Sequence, residues 1–139
     1  ANVKPDVFNH NVETVPRLYK NIRPGSNYNK SLELLLDVKQ HDQSIFTKSG
    51  IMVGLGENVN EIELVLRDMK KSQIDFVTIG QYLQPSIHHE KVHKFYHPDE
   101  FKKLYDLCVL LGFKMISSSA MTRSSYHADE DFIKLKQSA

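Results

Sequence analysis

The stretch Phe46-Thr47-Lys48-Ser49-Gly50-Ile51-Met52-Val53, followed by Gly54-Leu55-Gly56-Glu57-Asn58 and then by Ile62, Val65, Leu66 and Met69, decides the fold. Its first eight residues close on an apolar Ile-Met-Val run, which suggests a strand buried on both faces, as in a parallel sheet. Asn58 can cap a helix. The four apolar residues after it recur at i, i+3, i+4 and i+7, the spacing of one helical face. Phe76-Val77-Thr78-Ile79 then reads as a second buried strand. Strand, helix and strand in this order form a crossover unit with parallel strands.

The alternation continues outward. Val7-Phe8 reads as a strand end, and Pro16 suits the first turn of a short helix through Leu18, Tyr19 and Ile22, stopped by Pro24-Gly25. A second helix begins near Ser26 or Tyr28 with the stripe Leu32, Leu35 and Leu36. Beyond Ile79 comes a polar loop over residues 81–86. Pro98 then starts a helix with Phe101, Leu104, Tyr105, Cys108 and Leu111 on one side, closed by Gly112. Residues 113–116 read as a last strand and residues 128–136 as a final helix. The expected fold class is α/β, with parallel strands and crossover helices. Such a chain is a stand-alone doubly wound domain or a segment of a βα barrel. In a barrel, the polar clusters at residues 9–13, 54–57, 81–86 and 117–126 would line the C-terminal face, where active sites are built.

Composition narrows the function. The chain has 139 residues, 25% of them charged and 40% hydrophobic, as in a globular protein with a core. Its 18 basic and 17 acidic residues leave a net charge of +1, which argues against a general nucleic-acid or membrane-surface binder. No apolar run approaches the roughly 18–20 residues that span a bilayer, and no signal peptide opens the chain. The one cysteine, Cys108, excludes a disulfide framework and a cysteine-only zinc site, and it cannot alone hold an iron–sulfur cluster. Cys108 falls on a helix stripe and reads as a buried structural thiol.

Each polar cluster has a functional and a plainer reading. Glycines at 50, 54 and 56 before a helix allow close approach of a ligand and an anion at the helix N-terminus, or simply a tight turn. His88, His89, His93 and His97 suggest zinc by their spacing, but Pro85 and Pro98 bracket them and a polar loop is the better reading. Asn9, His10, Asn11 and Glu13 suit hydrogen bonds to ribose hydroxyls or an amino acid moiety, whereas Asn11 or Thr14 could cap the helix at Pro16. Arg123 could clamp a carboxylate or phosphate. Ser125 and His127 lack a nucleophile-elbow context and a third triad member.

Five segments together resemble lipoyl synthase, a family of radical S-adenosylmethionine enzymes. They are Pro5-Asp6-Val7-Phe8-Asn9-His10-Asn11-Val12-Glu13-Thr14-Val15-Pro16-Arg17, Arg23-Pro24-Gly25, Thr47-Lys48-Ser49-Gly50-Ile51-Met52-Val53-Gly54-Leu55-Gly56-Glu57, Gly80-Gln81-Tyr82-Leu83-Gln84-Pro85-Ser86 with His88-His89, and Arg123-Ser124-Ser125-Tyr126-His127-Ala128. The resemblance spans essentially residues 1–139. It implies the C-terminal half of a partial (β/α) barrel, the radical S-adenosylmethionine core, with a C-terminal extension.

The implied activity is insertion of two sulfur atoms at C6 and C8 of a protein-bound octanoyl group. The implied cofactors are S-adenosylmethionine and two [4Fe–4S] clusters, one of them the sulfur source. The implied partners are octanoylated lipoyl domains of 2-oxoacid dehydrogenase complexes or the glycine cleavage H protein, and an electron donor such as ferredoxin or flavodoxin. The implied location is the bacterial cytoplasm or a mitochondrial matrix. Residue by residue, Ser125 matches a serine ligand of the auxiliary cluster, with Arg123 and Tyr126 close to it. Asn11, Glu13 and Arg17 match contacts to S-adenosylmethionine, Gly54 a position near its adenine, and Gln81, Tyr82, Leu83 and Gln84 the end of a strand beside adenine and substrate. The family's C-x3-C-x2-C and C-x4-C-x5-C motifs are not in this sequence, so the chain alone is expected to be inactive. Two other expectations remain. One is an inactive remnant that binds the lipoyl domain. The other is a small metal hydrolase using His88, His89 and His93.

Overall fold

The computed structural model describes residues 7–19 and 27–121. Four strands run in parallel: β1 (Val7–Asn9), β2 (Phe46–Val53), β3 (Phe76–Gln81) and β4 (Met115–Ser119). Three helices connect them: α1 (Tyr28–His41), α2 (Val59–Lys71) and α3 (Pro98–Leu111). A single 3-10 turn at Pro16–Leu18 precedes α1. The described residues therefore form an α/β protein with a four-stranded, all-parallel sheet. The final helix expected at residues 128–136, and Arg123, Ser125 and Tyr126, lie outside the described residues, as do Ile22, Pro24 and Gly25.

Strand order is β1-β2-β3-β4, the order of the sequence. A doubly wound sheet reverses its order at a switch point. No reversal occurs among the described strands. The helices stand side by side. The Tyr28 hydroxyl on α1 donates to Asp68 Oδ2 on α2 at 2.7 Å, and Lys70 Nζ on α2 donates to the Gly112 carbonyl just beyond α3 at 2.9 Å. One face of the sheet is thus covered by a continuous helical layer.

The register separates the two faces. Ile51 pairs with Ile79 and Val53 with Gln81, and Ile51, Val53 and Ile79 belong to the core with Ile62, Leu66 and Met69 of α2. Residues of the other parity, Gly50 with Thr78 and Met52 with Gly80, face away from the helices. The stripe read from the sequence of α2 is buried as expected, all four residues at 0% exposure. Asn58 caps that helix through Glu61 N, and Glu61 returns a bond from Asn58 N, a reciprocal capping box.

The N-terminal edge of the sheet is held by charge. Asp75, 4% exposed, accepts from Lys39 Nζ at 2.7 Å and from Thr47 N at 2.9 Å, and Lys114 Nζ approaches it at 3.2 Å. Lys39 also donates to the Ile45 carbonyl. The buried charge is paired and its acceptor positions are used, the condition under which burial is tolerated. Among the described residues, no helix is long and apolar enough to cross a membrane.

Candidate functional site

A cavity of about 180 Å³ opens on the face away from the helices, at the carboxyl ends of β1, β2 and β3. In open parallel sheets and barrels alike, this is the end where ligands bind. Its floor is Gly50, Gly80 and Met52, and its walls carry Asn11, Glu13, Thr78 and Gln81.

The chain reaches this cavity through a bulge. Asn9 pairs with Lys48, yet Glu13 pairs with Ile51, so four steps on one strand match three on its neighbour. Glu13 absorbs the extra residue with φ of 84°, the left-handed region that side chains other than glycine rarely adopt. Its backbone is tied on both sides, Glu13 N to the Gly50 carbonyl at 3.0 Å and Met52 N to the Glu13 carbonyl at 2.9 Å. Val12 N donates to Ser49 Oγ, and the Tyr19 hydroxyl donates to the Val12 carbonyl. Bulges re-aim side chains at site rims. Here the bulge sets Asn11 and Glu13 at the cavity.

Asn11 Oδ1 is the informative atom. It is buried from solvent and has no hydrogen-bond partner. A Cβ built on Gly50 would lie 3.1 Å from it and 2.3 Å from Thr78 Oγ1. The absence of a side chain at Gly50 therefore keeps a space into which an amide oxygen and a hydroxyl both converge. The Thr14 hydroxyl is also buried without a partner, and Val15, not Asn11 or Thr14, stands at the N-cap of the 3-10 turn. Capping does not account for Asn11.

The other sequence-selected residues are placed differently. Gly54 has φ of 102°, and a Cβ there would meet Gln81 Nε2 and the Lys94 carbonyl, both at 2.4 Å. Its N–H is taken by its own turn: Glu57 accepts from Gly54 N at 3.1 Å, from Leu55 N at 3.0 Å and from the Tyr96 hydroxyl at 2.6 Å. The anion position read into the glycine turn is filled by the Glu57 carboxylate. Burial and that carboxylate raise the Tyr96 hydroxyl well above the usual tyrosine range. Arg17 grips Glu61 with two bonds, 3.0 and 2.9 Å, and donates to the Gly56 carbonyl at 2.8 Å. The hydrogen bond from Arg17 holds the Glu61 carboxyl below its ordinary value. The guanidinium is committed to the β2–α2 turn.

Gln81 bridges the cavity and the segment beyond it. Its amide nitrogen donates to the Tyr82 and Lys94 carbonyls, and its oxygen accepts from Tyr96 N at 2.9 Å. The buried Tyr82 donates its hydroxyl to the Glu90 carbonyl at 2.7 Å. Gln84 donates to the His89 carbonyl, and Leu83 is 63% exposed. Gln81, Tyr82 and Gln84 fasten residues 82–97 through these bonds. Gln81 alone among them lines the cavity.

His89 is bonded to Ser86 Oγ at 2.8 Å, and His93 to Glu90 Oε1 at 2.8 Å. Among the described residues, no three His, Cys, Asp or Glu side chains group together as a metal site. Cys108 is fully buried on the helical side of the sheet, and burial pushes its thiol up to about 12. Sequence reading passed over Thr78, Met52 and Gly80. The period-two pattern of β2 and β3 carried the signal, because residues 50, 52, 78 and 80 share one face once the strands are paired. No protein-family model matches the chain.

Proposed function

We propose that the chain is the C-terminal half of a lipoyl synthase-like radical S-adenosylmethionine barrel, and that the cavity holds the nucleoside part of S-adenosylmethionine. One observation carries the reading: the partnerless, buried Asn11 oxygen beside the Thr78 hydroxyl over a glycine floor. A group that both donates and accepts, such as a ribose hydroxyl, satisfies that pair. The space equals roughly six water volumes at about 30 Å³ each, the size of one sugar ring rather than a whole cofactor. Strand order and the one-sided helical layer support a barrel segment, whose inner face would be the one that carries Gly50, Thr78 and Gly80 at its carboxyl end.

The chain's own residues then act as follows. Asn11 and Thr78 orient a hydroxyl, Glu13 offers a second acceptor, and Gly50 and Gly80 admit the ring against the backbone. Glu57, Tyr96 and Gln81 hold the rim. When bound, the cofactors would supply hydrogen abstraction from an octanoyl chain and the sulfur that replaces it. The described residues do not fit an iron–sulfur cluster, since Cys108 is turned into the core. Ser125 is the one ligand proposed from this chain. Octanoylated lipoyl domains and a ferredoxin or flavodoxin are the proposed partners.

The test is titration of the chain with 5′-deoxyadenosine and S-adenosylmethionine, followed by amide NMR. The expected result is shifts confined to residues 11–13, 50–52 and 78–81, lost in Asn11→Ala. The same variant should keep or gain up to about 1 kcal/mol of stability, because it removes an unpaired buried polar atom. Absence of shifts at these residues at millimolar nucleoside would contradict the assignment.

A further inference from the structure

Residues 82–97 lead from the carboxyl end of β3 to the start of α3 without helix or strand of their own. Connections longer than about 12–15 residues are uncommon in compact domains and are usually functional. This one is well fastened. Tyr82 and Tyr96 belong to the core, and Val92 packs against it. Gln81 clamps the two arms together through the Lys94 carbonyl and Tyr96 N, and His93 N donates to the Gly54 carbonyl at 2.7 Å. Gln84 and Ser86 both bond to His89, which closes a turn at the tip. With these anchors in place, three large apolar side chains stay outside: Leu83 at 63%, Ile87 at 88% and Phe95 at 65% exposure. A fastened loop that displays apolar side chains to water has the character of an interaction surface.

We infer that this loop is the docking surface for an acidic protein domain, whose identity as the carrier of the acyl chain rests on the proposed function. The charge around the apolar side chains selects that partner. Lys91 is exposed and has no ion pair among the described residues. Glu90 is the one acidic residue between positions 82 and 97, and its carboxylate is bonded to His93 at 2.8 Å. Lys94 lies over the Tyr96 ring and pairs with Glu100. The loop therefore offers an apolar centre with a basic, histidine-bearing rim. Its complement is an apolar patch ringed by carboxylates.

A membrane surface is the poorer match. Binding to anionic headgroups takes a cluster of about four to eight Lys or Arg, and this loop has Lys91 and Lys94 only. Position agrees with a domain that presents a chain-borne substrate. The loop begins directly after Gln81, which lines the cavity, so a domain seated on Leu83, Ile87 and Phe95 is held at the same end of the sheet as the Asn11 site.

The experiment titrates the full chain into a fluorescently labelled, octanoylated lipoyl domain and reads anisotropy at low and high salt. Ile87→Ser and Phe95→Ser should each weaken binding roughly tenfold or more, as loss of a central apolar contact does. Lys91→Glu should weaken it at low salt and less at high salt, because exposed charges are screened. Leu110→Ser, at an apolar side chain 81% exposed on α3, should leave binding unchanged. Circular dichroism should be the same for all four variants. Unchanged binding in the loop variants, an equal loss in Leu110→Ser, or no binding of the domain at all would overturn the proposal. Binding to vesicles of anionic lipid instead of the domain, lost in the same variants, would also overturn it and assign the loop to a membrane. Nucleoside shifts at residues 11–13, 50–52 and 78–81 are read without the domain, so failure of the cavity assignment and failure of the docking surface are told apart.

Discussion

At the scale of single residues, two glycines do different work. Gly50 keeps a space open, and Gly54 makes a turn. A methyl at Gly50 collides with Thr78 Oγ1, a β-branched side chain with little freedom to move aside. Gly50→Ala should abolish nucleoside shifts while the chain stays folded, as judged by circular dichroism. Gly54→Ala faces both a left-handed backbone and a carbonyl 2.4 Å away. It should cost about 2 kcal/mol or more in urea unfolding. Equal effects of both substitutions on stability would contradict this division. Sequence reading singled out the glycine turn but not which glycine faces a ligand. Side-chain commitments were also out of reach: Arg17 with Glu61, and Tyr96 with Glu57, join residues whose pairing depends on tertiary approach. Ile62, Val65, Leu66 and Met69, by contrast, were legible because periodicity alone assigns them a face.

Secondary-structure elements were read well where packing and local signals agreed. The Asn58 cap and the stripe of α2, and the Pro98 start and Gly112 stop of α3, are local features and all stand where the pattern put them. The bulge at Glu13 was not legible, because nothing in Asn-Val-Glu-Thr demands a left-handed glutamate. It is imposed by pairing with β2. Between elements, the Lys39–Asp75–Thr47 junction ties α1, β2 and the turn before β3. Asp75→Ala leaves Lys39 buried without its counter-charge and should cost about 3–5 kcal/mol in urea. A loss below about 1 kcal/mol would show that the junction is not a buried pair in solution.

Two tyrosines link elements as neutral donors, Tyr28 to Asp68 and Tyr96 to Glu57, and burial with the acceptor carboxylates raises both hydroxyls. A raised value means the fold favours the protonated form. Their contribution is complete below about pH 10, the unfolded value, and is lost as the pH rises from there through the raised folded values. Stability should fall above pH 10, and Tyr28→Phe with Tyr96→Phe should flatten that limb. An unchanged alkaline limb in the double variant would place its cause elsewhere.

At the scale of the molecule, the four described parallel strands in sequence order, with helices in one layer, leave an opposite face that is apolar at the amino ends of the strands, with Phe46 stacked on Phe76, and small or polar toward the carboxyl ends. That face has Gly50, Thr78, Gly80 and Ser117 where a solitary two-layer domain would expose them to water and a barrel would enclose them. Fold class was legible from the strand–helix alternation. The choice between a doubly wound sheet and a barrel segment was not, because strand order is a property of pairing and is not written in any one element.

The proposed function makes this chain half of a two-cluster enzyme. The most direct test is the intact mass and iron content of the native protein isolated anaerobically from its source. The account predicts a polypeptide roughly twice the 16.0 kDa of this chain, near the size of a whole barrel, with about eight iron atoms and the missing cysteines upstream. A native species of 16.0 kDa without iron would contradict it.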